Sequence, residues 1–197
     1  MRHEDAEIIA MLTDMNIHGF DGNGGTDKGT DHKYTSAYAH LMSKYRDKSI
    51  NFFEIGLFEG GSAALWSNYL PKAKMLFVDI FDNIKSKPLQ FIDKERVSFM
   101  FCDAYTIEAV AKVHELMPEG LDFAIDDGPH SLESMCDFLK LYGPIMRKGG
   151  TMVVEDIPTD TWFETLEQCV PFGSTTERWN ISSETGRHDD IMLFVYL

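Results

Sequence analysis

A 197-residue chain with 32 acidic against 18 basic side chains carries a formal charge of −14, so it lacks the clustered Lys and Arg needed to track a phosphate backbone and nucleic acid is excluded as a partner class. No apolar run approaches the ~18 residues that suggest a membrane span, and the acidic start Met1-Arg2-His3-Glu4-Asp5 interrupts what would be the apolar stretch of a secretory leader. Cys102, Cys136 and Cys169 form no CxxC pair and cannot all be paired, so reduced thiols and a cytoplasmic location are expected.

Ile8, Ile9, Leu12 and Met15 recur at helical spacing and predict an N-terminal helix over 5–18, ended by the turn-forming run Gly19 to Gly25. Tyr34, Tyr38, Leu41 and Tyr45 predict a second helix over 34–46. The chain then alternates. Strands are expected at 51–56, 74–79, 97–103, 121–127 and 151–156, and helices near 61–70, 106–117 and 131–146. A polar segment and a last strand at 191–196, read as antiparallel, close the chain. Continuously apolar strands between helices predict an α/β, doubly wound, mostly parallel sheet covered on both faces. One domain over 1–197 is expected, with helices and a lid-like loop in 1–46 and the α/β core in 51–197.

In such a sheet, ligands bind beyond the carboxyl ends of the strands, where the strand order reverses. Glu54, Asp79, Asp103, Asp127, Glu155 and Asp156 all fall at that edge by this reading. Helix capping explains one or two of them, but not six. The turn Glu54-Ile55-Gly56-Leu57-Phe58-Glu59-Gly60-Gly61-Ser62 supplies small residues where backbone approaches a ligand. Phe58 stands where the dinucleotide fingerprint G-x-G-x-x-G has its second glycine, which disfavours a pyrophosphate and hence NAD. A ligand without phosphates fits the turn better. Asp79 is placed to accept hydrogen bonds from both ribose hydroxyls, and Asp103 to take an adenine amino group.

The other half of the edge carries Asp126-Asp127-Gly128-Pro129-His130 and Glu155-Asp156. Neighbouring strands lie ~4.8 Å apart, so their terminal carboxylates can converge on one ion. Oxygen ligands without converging cysteines favour Mg²⁺ over zinc, with Ca²⁺ or Mn²⁺ as alternatives. On residue pattern alone, metal ligation and helix capping explain these acids equally well. His130, just past a Gly-Pro turn, is the most readily placed base.

At these residues the chain resembles the class I methyltransferases that use S-adenosylmethionine (SAM), specifically the metal-dependent sugar O-methyltransferases of the mycinamicin and macrocin type. The resemblance covers about residues 25–197 and rests on Gly25-Thr26-Asp27-Lys28 with His32 and Tyr34-Thr35, on Glu54-Ile55-Gly56 with Gly60-Gly61-Ser62, and on Asp126-Asp127-Gly128-Pro129-His130 and Glu155-Asp156. It implies a seven-stranded sheet with an antiparallel last strand. Glu54, Gly56, Ser62, Asp79 and Asp103 would line the SAM pocket, and Gly60, Asp126, Lys28 and Tyr34 complete the expected cofactor-binding set. Asp127, Glu155 and Asp156 would hold Mg²⁺, with His130 and Asp127 catalytic. The large N-terminal region of the mycinamicin-type enzymes has no counterpart in this sequence.

The implied reaction is attack of a substrate hydroxyl on the sulfonium methyl, with vicinal sugar hydroxyls as the best acceptor, whether free, nucleotide-linked or in a glycan. A catechol-like acceptor, a non-catalytic SAM- or carbohydrate-binding domain and, more distantly, a hydroxylase are the rival readings. The glycine-rich stretch 19–30 is read equally well as a lid, with Lys28 or Tyr34 touching cofactor or substrate, and as a tether to the core. The sequence leaves room for a homo-oligomer.

Overall fold

The computed structural model describes residues 3–197. Helix α1 (His3–Asp14) stops just before Asn16, whose φ of 54° cannot continue a right-handed helix. Helix α2 (Thr35–Met42) runs into a single 3-10 turn. The alternating core follows: β1 (Asn51–Ile55), α3 (Gly61–Tyr69), β2 (Lys74–Asp79), the short α4 (Ser86–Leu89), β3 (Val97–Phe101), α5 (Ile107–Leu116), β4 (Leu121–Asp126), α6 (Leu132–Tyr142) and β5 (Met146–Val154). The chain ends with α7 (Phe163–Glu167), β6 (Thr175–Asn180), α8 (Ser182–Thr185) and β7 (Ile191–Tyr196).

The seven strands lie in the order β3-β2-β1-β4-β5-β7-β6. Strands β1 to β5 are mutually parallel, and β7 runs antiparallel to both its neighbours. The sheet is therefore mostly parallel with an antiparallel last strand, as expected. Strand β1 pairs with β2 on one side and β4 on the other, so the order reverses between β1 and β4. The crevice forms there. Because β7 is antiparallel, its start at Ile191 lies at the same edge as the end of β5, and the Ile157 N–H donates to the Ile191 carbonyl at 3.0 Å.

Two differences from the expected elements have plain physical causes. Strand β6 lies inside what reads as a polar segment, because an edge strand keeps one flank and much of its surface in water. Strand β5 begins at Met146, within the expected helix, since Gly143-Pro144 turns the chain out of α6.

The pleat sorts side chains by parity. Phe52, Phe77, Phe123, Ile125 and Val153 pack with Trp66 and Tyr38 on the face covered by α1, α2 and α3. Phe53, Ile55, Ala124, Met152 and Val154 pack with Phe138 and Tyr142 of α6 on the other. The same alternation puts Glu54 of β1 and Asp126 of β4 on opposite faces.

Candidate active site

Gly56 follows β1 with φ 94°, and a Cβ there would lie 1.8 Å from the Asp127 carbonyl oxygen. Only glycine lets the chain ends of β1 and β4 approach this closely at the switch point. The turn beyond it is held by Asp79 at the end of β2: Oδ2 accepts the Leu57 and Phe58 N–H groups, each at 2.9 Å, and Oδ1 accepts from Phe81 at 3.1 Å. Asp103 Oδ1 accepts the Tyr105 N–H at 2.9 Å in the loop after β3.

These residues open onto a cleft of about 930 Å³ along the strand ends. Phe20, Phe58, Ile80 and Phe81 form an apolar rim at the Asp79 end, and all four stay more than half exposed. Asp127, His130 and Asp156 line it at the ends of β4 and β5, and Glu133, Asp137, Arg187 and Asp189 also border it. His130 Nε2 is 3.3 Å from Asp127 Oδ1 and 3.6 Å from Asp156 Oδ2. The three offer ligand atoms within 4.8 Å of one another. His130 and Asp156 both hold left-handed backbones, φ 52° and 51°, a conformation that costs about 1–3 kcal/mol and concentrates at functional sites. The capping box of α6 fixes the first of these turns, the Ser134 N–H donating to Ser131 Oγ at 3.1 Å.

Of the expected site residues, Gly56, Asp79, Asp103, Asp127, His130 and Asp156 line the cleft. Glu54, Gly60, Ser62, Asp126, Lys28, Tyr34 and Glu155 stand behind it. Glu54 and Glu155 fall on the face of Phe52 and Val153, beneath α2 and α3, and Asp126 falls on the opposite face and receives the Tyr105 hydroxyl. Burial pushes the Glu54 and Asp126 carboxyls each up to about 7.

The stretch 16–34 is packed into this edge. The Gly25 carbonyl leaves no room for a Cβ on Gly61, and the Gly24 N–H donates to Glu59 Oε2 at 2.9 Å. Lys28, 3% exposed, places Nζ 2.6 Å from Asp127 Oδ2 and 2.7 Å from Glu155 Oε2. Burial works against its charge, but Asp127, Glu155 and Glu54 outweigh it and hold the ammonium well above its ordinary value. Lys28 in turn holds the Asp127 carboxyl below the carboxylate range despite burial. The other Glu155 oxygen receives the Tyr38 hydroxyl, and burial carries its carboxyl up to about 7.

Asp156 is gripped from the same stretch: the Tyr34 hydroxyl donates to Oδ1 at 2.6 Å, and His32 Nδ1 lies 3.3 Å from that oxygen. His32 also reaches Asp190 at 2.7 Å and Asp27 at 3.1 Å. Burial works to lower its imidazole, yet these carboxylates carry it up to about 9. Sequence reasoning gives no role to His32, Tyr38, Tyr105 or Asp190. The signal available for Asp190 is its place immediately before an antiparallel strand, which returns it to the edge that the parallel strands leave.

A family model described as Rhamnosyl O-methyltransferase/CmcI matches residues 37–175. Among relatives, the 8-demethyl-8-alpha-L-rhamnosyl tetracenomycin-C 2'-O-methyltransferase of Streptomyces olivaceus is 28% identical over 79% of this chain and 42% of its own length. The L-olivosyl-oleandolide 3-O-methyltransferase of Streptomyces antibioticus is 29% identical over 66% and 34%. The chain thus spans less than half the length of these curated relatives. Among solved structures, the MycE methyltransferase of the mycinamycin pathway, in complex with Mg and SAH, superposes with a TM-score of 0.62 at 23% identity, over 84% of this chain and 40% of that one. An O-methyltransferase from Bacillus cereus in complex with SAH gives 0.66 at 11% identity, over all of this chain and 92% of the other. Those two likenesses speak to the fold, which is that of methyltransferases; the matched family model, covering 37–175, carries the assignment, and the chain belongs to the Rhamnosyl O-methyltransferase/CmcI family.

Proposed function

We propose that the chain is a SAM-dependent O-methyltransferase, assisted by a divalent cation, that methylates a hydroxyl of a neutral sugar. The observation that carries this reading is the convergence of Asp127, His130 and Asp156 at one end of a cleft whose other end holds the glycine turn and Asp79. The relatives' names, with a sugar O-methyl position in each, and the Mg and SAH of the MycE complex support it.

The carboxylates of Asp127 and Asp156 are oxygen donors that suit Mg²⁺ or Mn²⁺, with the His130 imidazole beside them as a base. Asp127 Oδ1 and Asp156 Oδ2 are the carboxylate oxygens turned toward His130. The expected third ligand, Glu155, is directed onto Lys28 and Tyr38. When bound, SAM supplies the methyl as a sulfonium and the cation supplies positive charge at the acceptor oxygen.

The chain's own residues do the rest. Gly56 admits the cofactor close to the backbone, and Asp79 accepts hydrogen bonds from its ribose. Phe58, Ile80 and Phe81 shield its base from water. His130, beside Asp127 and Asp156, accepts the acceptor hydroxyl's proton on its unprotonated ring nitrogen as in-line attack proceeds. Carboxylates outnumber cations around the cleft, Asp79, Asp103, Glu133, Asp137 and Asp189 among them against Arg187 and His32, which favours a neutral sugar over one linked to a nucleotide diphosphate.

The test is transfer from methyl-labelled SAM to a panel of glycosides with vicinal hydroxyls, with Mg²⁺ and with chelator. Mg²⁺-dependent labelling of neutral glycosides is expected. Labelling of catechols alone would replace the acceptor, and no labelling of any acceptor would contradict the reading.

A further inference from the structure

Resting on the methyltransferase reading above, we propose that Tyr105 is a positioning residue: it ties the loop after β3 to the turn that runs from Asp126 to His130, and so holds His130 in register with the cofactor half of the cleft. Strands β2 and β1 separate β3 from β4 in the sheet, a span of about 14 Å at ~4.8 Å per strand. The loop and the Tyr105 side chain cross that span, and the hydroxyl donates to Asp126 Oδ1 at the end of β4. Burial and the neighbouring Asp126 carboxylate raise the phenol above its ordinary value, so it keeps its proton and stays a donor. Asp126 is 2% exposed, which keeps water from taking the hydroxyl's place.

The turn is built around this contact. A Cβ on Gly128 would lie 2.0 Å from the Tyr105 hydroxyl, so only glycine lets the tyrosine cross here. Bonded to Asp126 and pressed against Gly128, Tyr105 fixes the start of the turn, while the Ser131 cap of α6 fixes its end. Asp127 and His130 lie between the two. The other end of the tie is equally firm. Asp103 Oδ1 holds the Tyr105 N–H at 2.9 Å, the Ala104 carbonyl accepts the Tyr142 hydroxyl at 2.7 Å, and Thr106 caps α5. Asp103, Ala104 and Tyr105 all line the cleft, so the segment that would receive the cofactor also steers the base. A misplacement of about 1 Å between reacting groups costs on the order of 100-fold in rate.

The experiment measures methyl transfer from SAM by the full chain in wild type, Tyr105→Phe, Gly128→Ala and the double variant. Nitrogen-15 spectra of the histidine rings are recorded alongside, with His130 assigned by its loss in His130→Ala. Tyr105→Phe keeps the ring and removes the hydroxyl. It is expected to lower kcat about tenfold while changing KM for SAM less than about threefold, and to move the His130 ring resonances more than those of His40 on α2 and His114 on α5. Gly128→Ala meets the Tyr105 hydroxyl and is expected to lower kcat as well. With that hydroxyl gone the nearest atoms stand 3.2 Å from the new Cβ, so Gly128→Ala is expected to cost at least about threefold less when added to Tyr105→Phe than when added to wild type. Unchanged kcat or unmoved His130 resonances in Tyr105→Phe overturn the proposal, as do effects of the two substitutions that simply multiply. No transfer by the wild type to any acceptor overturns the functional reading, and this inference with it.

Discussion

His130 occupies its place through constraints that act on single residues: a left-handed backbone, a carboxylate on each side, and a helix cap that begins with the next residue. A general base contributes about 10²–10⁴-fold to rate, so His130→Ala should lower kcat by that order. Affinity for SAM, measured by calorimetry, should stay unchanged, because the proposed function assigns the cofactor to Gly56, Asp79 and Asp103. Equal losses in kcat and SAM binding would contradict that division. At this scale the sequence is informative about residue types and less so about direction. Six acids near one edge are legible as a group. Their sorting is not: Glu54 and Glu155 lie beneath the helices, while Asp79 and Asp127, of the same parity, line the cleft. The long-range partners are not legible: Lys28 is 99 residues from Asp127 and 127 from Glu155, and nothing local in the sequence pairs them.

Elements carry the site as levers carry a load. Helix α6 starts at Leu132, so its capping box sets the exit direction of the His130 turn. Ser131→Ala should cost about 1 kcal/mol of stability, measured by urea unfolding. It should also lower kcat more than it raises KM; a change in stability alone would show that the cap does not position His130. At the far edge, Arg178 of β6 grips Glu167 at the end of α7, with contacts of 2.8 and 2.6 Å, and the Thr176 hydroxyl adds a third at 3.1 Å. The Arg178 hydrogen bond holds the Glu167 carboxyl below its ordinary 4.5. Its contribution to stability is therefore full above that value and is lost as pH falls through the lower folded one. Glu167→Gln should lower Tm at pH 7, and the difference from wild type should shrink as pH falls below 4.5; a pH-independent difference would point to lost packing. The apolar strands were legible because both faces of a parallel sheet are buried. Strand β6, Thr175-Thr176-Glu177-Arg178-Trp179-Asn180, was not, because its water-facing side chains hide the alternation.

For the whole molecule, the sheet order brings two unlike half-sites together. One half, after β1, β2 and β3, offers a tight turn, acids and an apolar rim; the other, after β4 and β5, offers converging carboxylates and a histidine. The reversal between β1 and β4 joins them into one cleft, and the stretch 16–34 seals the back of the second half. The fold class was legible because hydrophobic periodicity is a whole-chain property, and the switch point follows from it. The sealing stretch was not, since a glycine-rich loop has no periodicity and its role lies in contacts made after folding. Among the described residues, no helix is long and apolar enough to cross a membrane.

The proposed function requires that this cleft bind SAM at its glycine end. Calorimetric titration of the full chain with SAM tests it most directly, repeated on Asp79→Ala with folding checked by circular dichroism. Saturable binding of one SAM per chain is expected, with a loss of about tenfold or more in the folded variant, the order that follows removal of a charge-assisted hydrogen bond. No binding by the wild type, or equal binding by wild type and variant, would contradict it.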